Sequence, residues 1–173
     1  FEALPSSGAT AIDGLSDALI EDNSLYLGND PTSTTSTAEK NVAVGTTALD
    51  AITTGDNNVA IGYDAASAIT TGTNNVFIGQ SAALDMTVGT GNIAIGVEAL
   101  KSVGAATQTG TIAIGLEAGA AINSDDASGS VLIGYQAGKA ITTAQASTAV
   151  GFEALKVMTA GGLYNTAIGY QAM

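Results

Sequence analysis

Carboxylates are the side chains of this sequence that could carry acid–base chemistry, because its 173 residues include no His and no Cys. That absence excludes Ser-His and Cys-His nucleophiles, thiolate and imidazole metal sites, and disulfides. Two carboxylic acids can still act together as general acid and base. Four acids recur two residues after a glycine and are the first candidates: Asp64, Glu98, Glu117 and Glu153.

The composition of this recurring position favours a solvated face over a catalytic pair. Ser81, Gln136 and Gln171 occupy it elsewhere in the chain, and neither Ser nor Gln can exchange a proton as a carboxylic acid does. The pair Asp125-Asp126 offers oxygen ligands for Ca²⁺, but no Asp-rich loop with the required spacing surrounds it. We therefore predict that the protein is not an enzyme and has no catalytic residues, metal site or cofactor.

The charge balance argues against two classes of partner. The chain has 16 acidic residues against 4 lysines and no Arg, for a formal net charge of −12. Nucleic-acid binding and attraction to anionic membranes both depend on Lys and Arg. No run of 18 apolar residues occurs, so a membrane-spanning helix is not predicted either. We expect no nucleic-acid partner and no membrane insertion.

A repeat positions these side chains. Glycines with similar flanking residues, as in NVAIGYDAA from Asn58, recur at spacings of 17 to 19 residues. The repeated glycines are at positions 28, 45, 62, 79, 96, 115, 134, 151 and 169. Short segments that alternate Val or Ile with a small residue have the two-residue period of a strand. The repeat predicts an all-β parallel β-solenoid or β-roll of about nine coils, on the order of 40 Å long.

Each strand is apolar on both faces, which is typical of a parallel sheet covered on both sides. A single-coil solenoid covers only its inner face, and we predict that the small residue between the two β-branched residues points outward against another chain. We name this set the alanine column. The alanine column, the predicted trimer interface, consists of Ala43, Ala60, Phe77, Ala94, Ala113, Leu132, Ala149 and Ala167.

The segment after each glycine has apolar residues three, four and seven positions on, as at Ala48, Leu49 and Ile52. This spacing predicts a turn or two of helix in an otherwise all-β chain. Polar turns follow, and each ends in the residue before the next strand. At five coils this residue is Asn, and we predict an in-register ladder of stacked amides: Asn41, Asn58, Asn75, Asn92 and Asn165.

Aromatic residues directly after the glycine suggest two alternatives. Tyr63, Tyr135, Phe152 and Tyr170 could form a strip on which sugars stack. The same position holds Thr, Gln, Val or Leu in other coils, so any strip is interrupted. Partial burial beside a neighbouring chain is the favoured interpretation.

The chain divides into two segments. Residues 1–22 lack the repeat and are interpreted as an adapter or leader, whereas residues 23–173 form the solenoid domain, interrupted in its ninth coil by Met173. Because the sequence starts with Phe1 and stops within a coil, we interpret it as a fragment of a longer protein.

The repeats resemble those of phage tail-fibre proteins, especially of marine and cyanobacterial phages. The resemblance rests on NVAIGYDAASAITTGTNNVFIG, on NTAIGYQA and on the leader LSDALIEDNSLYLGNDP, and covers roughly residues 15–173. The strand motif alone is also similar to the SVAIGxxAxA repeats of trimeric autotransporter adhesin heads. Those repeats are shorter, so the present sequence departs from them.

Both families imply a homotrimeric fibre. The phage resemblance implies a virion-tail protein that contacts other tail proteins and presents a receptor-binding tip to a host polysaccharide or protein. The alternative is the head of a bacterial trimeric autotransporter adhesin at the cell surface, binding host cells or matrix. A capsule depolymerase is the third hypothesis.

Overall fold

The structure is a computed structural model that describes residues 18–28, 36–102, 107–122, 128–141, 146–158 and 164–173. Within these ranges the chain is an all-β parallel solenoid, as the repeat predicts. Most of the proposed adapter, residues 1–17, lies outside the described residues, as do Asp125-Asp126 and Val103, another predicted helical position.

The strands are two to four residues long because a turn interrupts each coil soon after its strand. Their bounds are β1 Ala18–Glu21, β2 Ser24–Leu27, β3 Val42–Val44, β4 Val59–Ile61, β5 Val76–Ile78, β6 Gly89–Thr90, β7 Ile93–Ile95, β8 Gln108–Thr109, β9 Ile112–Ile114, β10 Val131–Ile133, β11 Ala140–Ile141, β12 Thr148–Val150, β13 Val157–Met158 and β14 Thr166–Ile168.

Ten of these strands form one sheet in the order β1-β2-β3-β4-β5-β7-β9-β10-β12-β14. From β2 onward the pairing is parallel and in register, so that Val59 pairs with Val76 one coil later. Strand β1 instead pairs antiparallel with β2, through a turn at Asp22 and Asn23 whose φ angles are 47° and 61°. Two short sheets, β6–β8 and β11–β13, run along other walls.

The predicted helical turn is wrong, since the described part of the chain contains no helix. Asp64 and Ala66 have φ angles of 55° and 50°, whereas an α-helix requires negative φ. The Asp64 N–H donates to Thr46 O in the preceding coil (3.1 Å) and the Ala66 N–H to Ala82 O in the following coil (2.8 Å). These backbone groups therefore connect neighbouring coils. The three-four-seven spacing does identify inward residues, because Ala65, Ala66 and Ile69 are fully buried.

The assignment of the two sheet faces is also wrong. Seven of the eight residues of the alanine column are fully buried within the single chain and the eighth, Ala167, is 6% exposed: Ala43, Ala60, Phe77, Ala94, Ala113, Leu132, Ala149 and Ala167. They face the interior of the solenoid, where they join the turn residues in one core cluster. The interior of a 17-residue coil is narrow, which explains the small residues at the middle of most strands. A residue already covered by its own chain cannot form an interface with another.

Size compensation within coils fills this narrow core. The strand-centre residue and the residue four after the glycine share the interior of each coil. Where Leu132 occupies the strand centre, the second position is Gly138, and a Cβ added there would lie 2.5 Å from Leu132 Cδ2. Where Ala94 occupies the strand centre, the second position is the fully buried Leu100. Both combinations keep the interior filled, which native packing requires.

The repeated glycine before each turn allows adjacent coils to approach closely. At Gly62 the φ angle is 138°, and an added Cβ would lie 2.6 Å from Gly79 O in the next coil. An L-residue would be strained by that φ and would clash with that carbonyl.

Candidate functional site

The outward side of the large sheet is the main apolar surface of the described chain. We name it the Val/Ile face and define it by the two strand residues that flank the buried Tyr26 of β2 and each member of the alanine column. These residues are Leu25, Leu27, Val42, Val44, Val59, Ile61, Val76, Ile78, Ile93, Ile95, Ile112, Ile114, Val131, Ile133, Thr148, Val150, Thr166 and Ile168. None of them is buried, and Ile61 and Ile114 are 38% and 36% exposed. The face carries no charged residue.

The Val/Ile face is regular because the strands are in register. Each apolar side chain sits directly above the equivalent one of the preceding coil, as Ile61 above Val44 and Ile78 above Ile61. Parallel strands are spaced by about 4.8 Å, so the eight steps from β2 to β14 extend about 38 Å. The sequence pattern correctly predicted apolar residues on both faces of the strands. It assigned the Val and Ile residues to the interior, whereas in the structure they point outward and the alanine column points inward.

A further column of residues, which we name the corner column, borders the Val/Ile face. It holds the residue after each repeated glycine: Thr46, Tyr63, Gln80, Val97, Leu116, Tyr135, Phe152 and Tyr170. The last three rings stack on one another, with centroids 4.9 Å apart for Tyr135 and Phe152 and 5.3 Å apart for Phe152 and Tyr170. Each of these rings therefore covers part of its neighbour. This arrangement reduces the ring area on which a sugar could stack, while leaving exposed ring edges beside the Val/Ile face.

The predicted asparagine ladder is confirmed at Asn41, Asn58, Asn75 and Asn92, all fully buried. Asn75 Oδ1 accepts hydrogen bonds from the backbone N–H of Asn92 (2.9 Å) and from Asn92 Nδ2 (3.1 Å). Asn75 Nδ2 donates to Asn58 Oδ1 (2.9 Å) and across the coil to Gly89 O (2.8 Å). The ladder thus satisfies buried polar groups and joins the start of the strand to the opposite turn.

The acids that could have carried chemistry form a charged ladder on a different wall, together with lysines and glutamines. Lys139 Nζ lies 2.5 Å from Glu117 Oε2, which also accepts a hydrogen bond from Gln136 Nε2. One coil later, Lys156 Nζ lies 2.6 Å from Glu153 Oε1, and Gln171 Nε2 donates to Glu153 Oε2 at 2.9 Å. A further pair, Lys101 and Glu98, has a separation of 2.8 Å and continues the same ladder.

These contacts shift proton affinities in the direction expected for ion pairs. The hydrogen bond from the Lys139 ammonium, followed by that from Gln136, lowers the pKa of Glu117. The Lys156 ammonium and then Gln171 lower the pKa of Glu153, while the bond to Glu153 raises the pKa of Lys156. Each acid is therefore held ionised by its partners. In the structure, Glu117 and Glu153 therefore link neighbouring coils, through the ion pair with Lys139 and the hydrogen bond from Gln171 respectively.

Asp64, another of the candidate acids, accepts a hydrogen bond from the Thr47 hydroxyl of the preceding coil. The described residues contain no group of three or more His, Cys, Asp or Glu side chains arranged to hold a metal ion.

The fold and its surfaces define the protein as a parallel β-solenoid. Comparison with protein-family models, curated proteins and solved structures finds no match to the chain. Across the described ranges, no helix has the length and apolar character needed to cross a membrane.

Proposed function

We propose that this chain is a segment of a homotrimeric phage tail fibre, located in the virion tail and acting as a spacer that carries a receptor-binding tip to the host. The observation that carries this proposal is the sheet of nine parallel strands in continuous register from β2 to β14. Such a stack extends in one direction only. Its function is mechanical, to hold two ends of a fibre apart.

Several contacts suit the chain to this mechanical function. Hydrogen bonds between coils link the strands, the turns and the buried asparagines, so that a displaced coil would break bonds on several walls at once. Repeat proteins are stabilised by such contacts between nearest neighbours. A load along the fibre would therefore be distributed among many equivalent hydrogen bonds.

The charge distribution also supports a spacer. Each of the four lysines pairs with a glutamate: Lys40 with Glu39, Lys101 with Glu98, Lys139 with Glu117 and Lys156 with Glu153. Twelve acids remain in excess, so a trimer would carry a formal charge three times the −12 of one chain. Like charge opposes lateral aggregation and contact with acidic polysaccharide. We therefore assign the binding of a host polysaccharide or protein to the tip of the fibre. Other tail proteins would bind at the fibre ends.

Immunogold electron microscopy of phage particles with antibodies against this chain tests the proposal. We expect gold along the fibre shaft, and we expect the labelling to disappear when the antibody is first absorbed with the purified chain. Gold confined to the surface of uninfected bacteria would contradict the proposal and support the autotransporter-adhesin alternative. Gold at the fibre tip alone would contradict the spacer role.

A further inference from the structure

The Val/Ile face is unusual because it is large, apolar and uncharged in a chain with a net charge of −12. Together with the corner column, it spans about 38 Å by roughly 15 Å, which gives an area on the order of 600 Å². Monomeric soluble proteins rarely expose contiguous apolar patches beyond a few hundred Å². Stable interfaces bury about 800 Å² per partner, so the face approaches the required size.

We propose that the Val/Ile face is the surface on which further copies of this chain pack, parallel and in register. This inference rests on the proposed fibre function. It makes the Val/Ile face, in place of the alanine column, the contact between chains. The face repeats in equal steps of about 4.8 Å along its length. A second copy has an apolar surface with the same repeat, so every coil can make the same contact.

The corner column favours a parallel arrangement over an antiparallel one. From Val97 onward, every residue of this column in the described chain is apolar or aromatic, whereas the earlier positions include the polar residues Thr46 and Gln80. Parallel packing places the large side chains of one copy beside those of the next. Antiparallel packing centred on the coil of β7 and Val97, the fifth of the nine coils, would place Phe152 beside Thr46 and Leu116 beside Gln80.

Electrostatics permit the close approach of identical chains that parallel packing requires. The acids two residues after the repeated glycine follow the corner column directly in sequence, and three of the four, Glu98, Glu117 and Glu153, pair with lysines. Neighbouring copies that approach along this side would therefore meet mostly paired charges. Parallel register further implies a rotation axis along the rod, as in a cyclic trimer.

Light scattering coupled to size exclusion tests the face. For the 173-residue chain we expect three times the chain mass of 16.9 kDa. Ile95→Glu should reduce the measured mass threefold while preserving the β-sheet circular dichroism. Thr90→Glu is the matched control, because Thr90 is exposed on another wall near the same coil, and it should stay trimeric. Equal dissociation by both variants, or a wild-type monomer, would overturn the proposal.

Cross-linking distinguishes the two orientations, and the absence of Cys makes single-cysteine variants clean. Ile61→Cys and Ile133→Cys lie four coils apart, about 19 Å along the rod, and antiparallel packing would bring them together. We refold the two variants as a mixture, with distinguishable tags, and treat the mixture with a bismaleimide shorter than this separation. Links between identical positions are expected, whereas links mainly between positions 61 and 133 would overturn the parallel register.

Failure of this inference can be distinguished from failure of the fibre function. Small-angle X-ray scattering of a monomeric wild-type chain with a rod-like profile would reject packing on the Val/Ile face and the trimer with it, but would leave the spacer function standing. A trimer found by immunogold labelling to lie outside the tail would retain the interface and reject the phage-fibre proposal.

Discussion

At the residue scale, the solenoid core depends on matched residue sizes within coils and between neighbouring coils. Leu132 fits because Gly138 and Gly119 leave space for it, with their added Cβ atoms falling 2.5 and 2.9 Å from its methyl groups. The Ala94 and Leu100 pair fills the same two positions in the opposite order. Residue sizes are therefore matched both within a coil and across the contact with the preceding coil.

We predict that Leu132→Ala destabilises the chain by about 2–5 kcal/mol, because it leaves a cavity in the buried core. Gly138→Leu alone should also destabilise it, by about 1–3 kcal/mol, because the new side chain overpacks against Leu132. The double variant recreates the Ala94 and Leu100 combination and should recover most of the loss. Urea unfolding of all four proteins in a double-mutant cycle measures the coupling. Additive losses would show that the two positions do not share one space.

The asparagine ladder provides a second residue-scale prediction. Asn75→Ala removes the acceptor for the Asn92 N–H and the donor for Gly89 O. Each buried group left without a partner costs about 1–3 kcal/mol, and we expect a loss on the order of 3 kcal/mol in urea unfolding. Asn75→Ser should cost less, because Ser130 Oγ accepts the Ser147 N–H (3.1 Å) at the equivalent position. A larger loss for Asn75→Ser would contradict this account.

At the scale of elements, the sequence predicted the strands and the stacking but not the turns or the faces. The glycine spacing was enough to predict the coils, because each repeated glycine marks the same place in a coil. Gly62, for example, has a φ angle of 138° and lies close to Gly79 of the next coil, and only a residue without a side chain fits both conditions. The three-four-seven spacing was misleading because residues of a turn can point inward at those same positions without helical φ angles. Compensation between Leu132 and Gly138 is the signal in the sequence that could have placed the alanine column inside.

The charged ladder predicts how stability depends on pH. The pKa values of Glu117 and Glu153 are lowered from the ordinary 4.5 by their Lys and Gln partners. Because these acids are more acidic in the folded state, their contribution to stability is fully present above pH 4.5 and is lost as the pH falls through the lowered pKa values. We expect thermal midpoints of the wild type to decrease below pH 4.5.

The double variant Glu117→Gln with Glu153→Gln should show a weaker decrease over the same acidic range, because it has lost both ionisable partners. At the basic end the raised pKa of Lys156 has the opposite sign. The Lys156 contribution is present below the ordinary 10.5 and is lost as the pH rises through the raised pKa value. An identical acid dependence in the wild type and the double variant would show that the ladder makes no contribution to stability.

At the scale of the whole molecule, the solenoid is defined by its register, which relates every wall of one coil to the same wall of the next. Strand side chains alternate between the core and the Val/Ile face, so a shift of one residue would exchange the two faces. Removal of a whole period preserves both faces. Gly45 and Gly62 mark such a period of 17 residues.

We predict that deletion of residues 46–62 yields a folded rod shorter by one coil, or about 4.8 Å. The deletion joins Gly45 to Tyr63 and places Ala43 in one coil with Ala66, matching the native combination of Ala60 and Ala66. Circular dichroism should keep its β-sheet signal, and small-angle scattering should report the shorter length. Deletion of residues 46–61 retains one extra glycine directly after Gly45 and should destabilise the rod, because the buried Ala65, Ala66 and Ile69 then follow Gly45 by four, five and eight residues instead of three, four and seven. If both deletions fold equally well, the period does not determine the register of this solenoid.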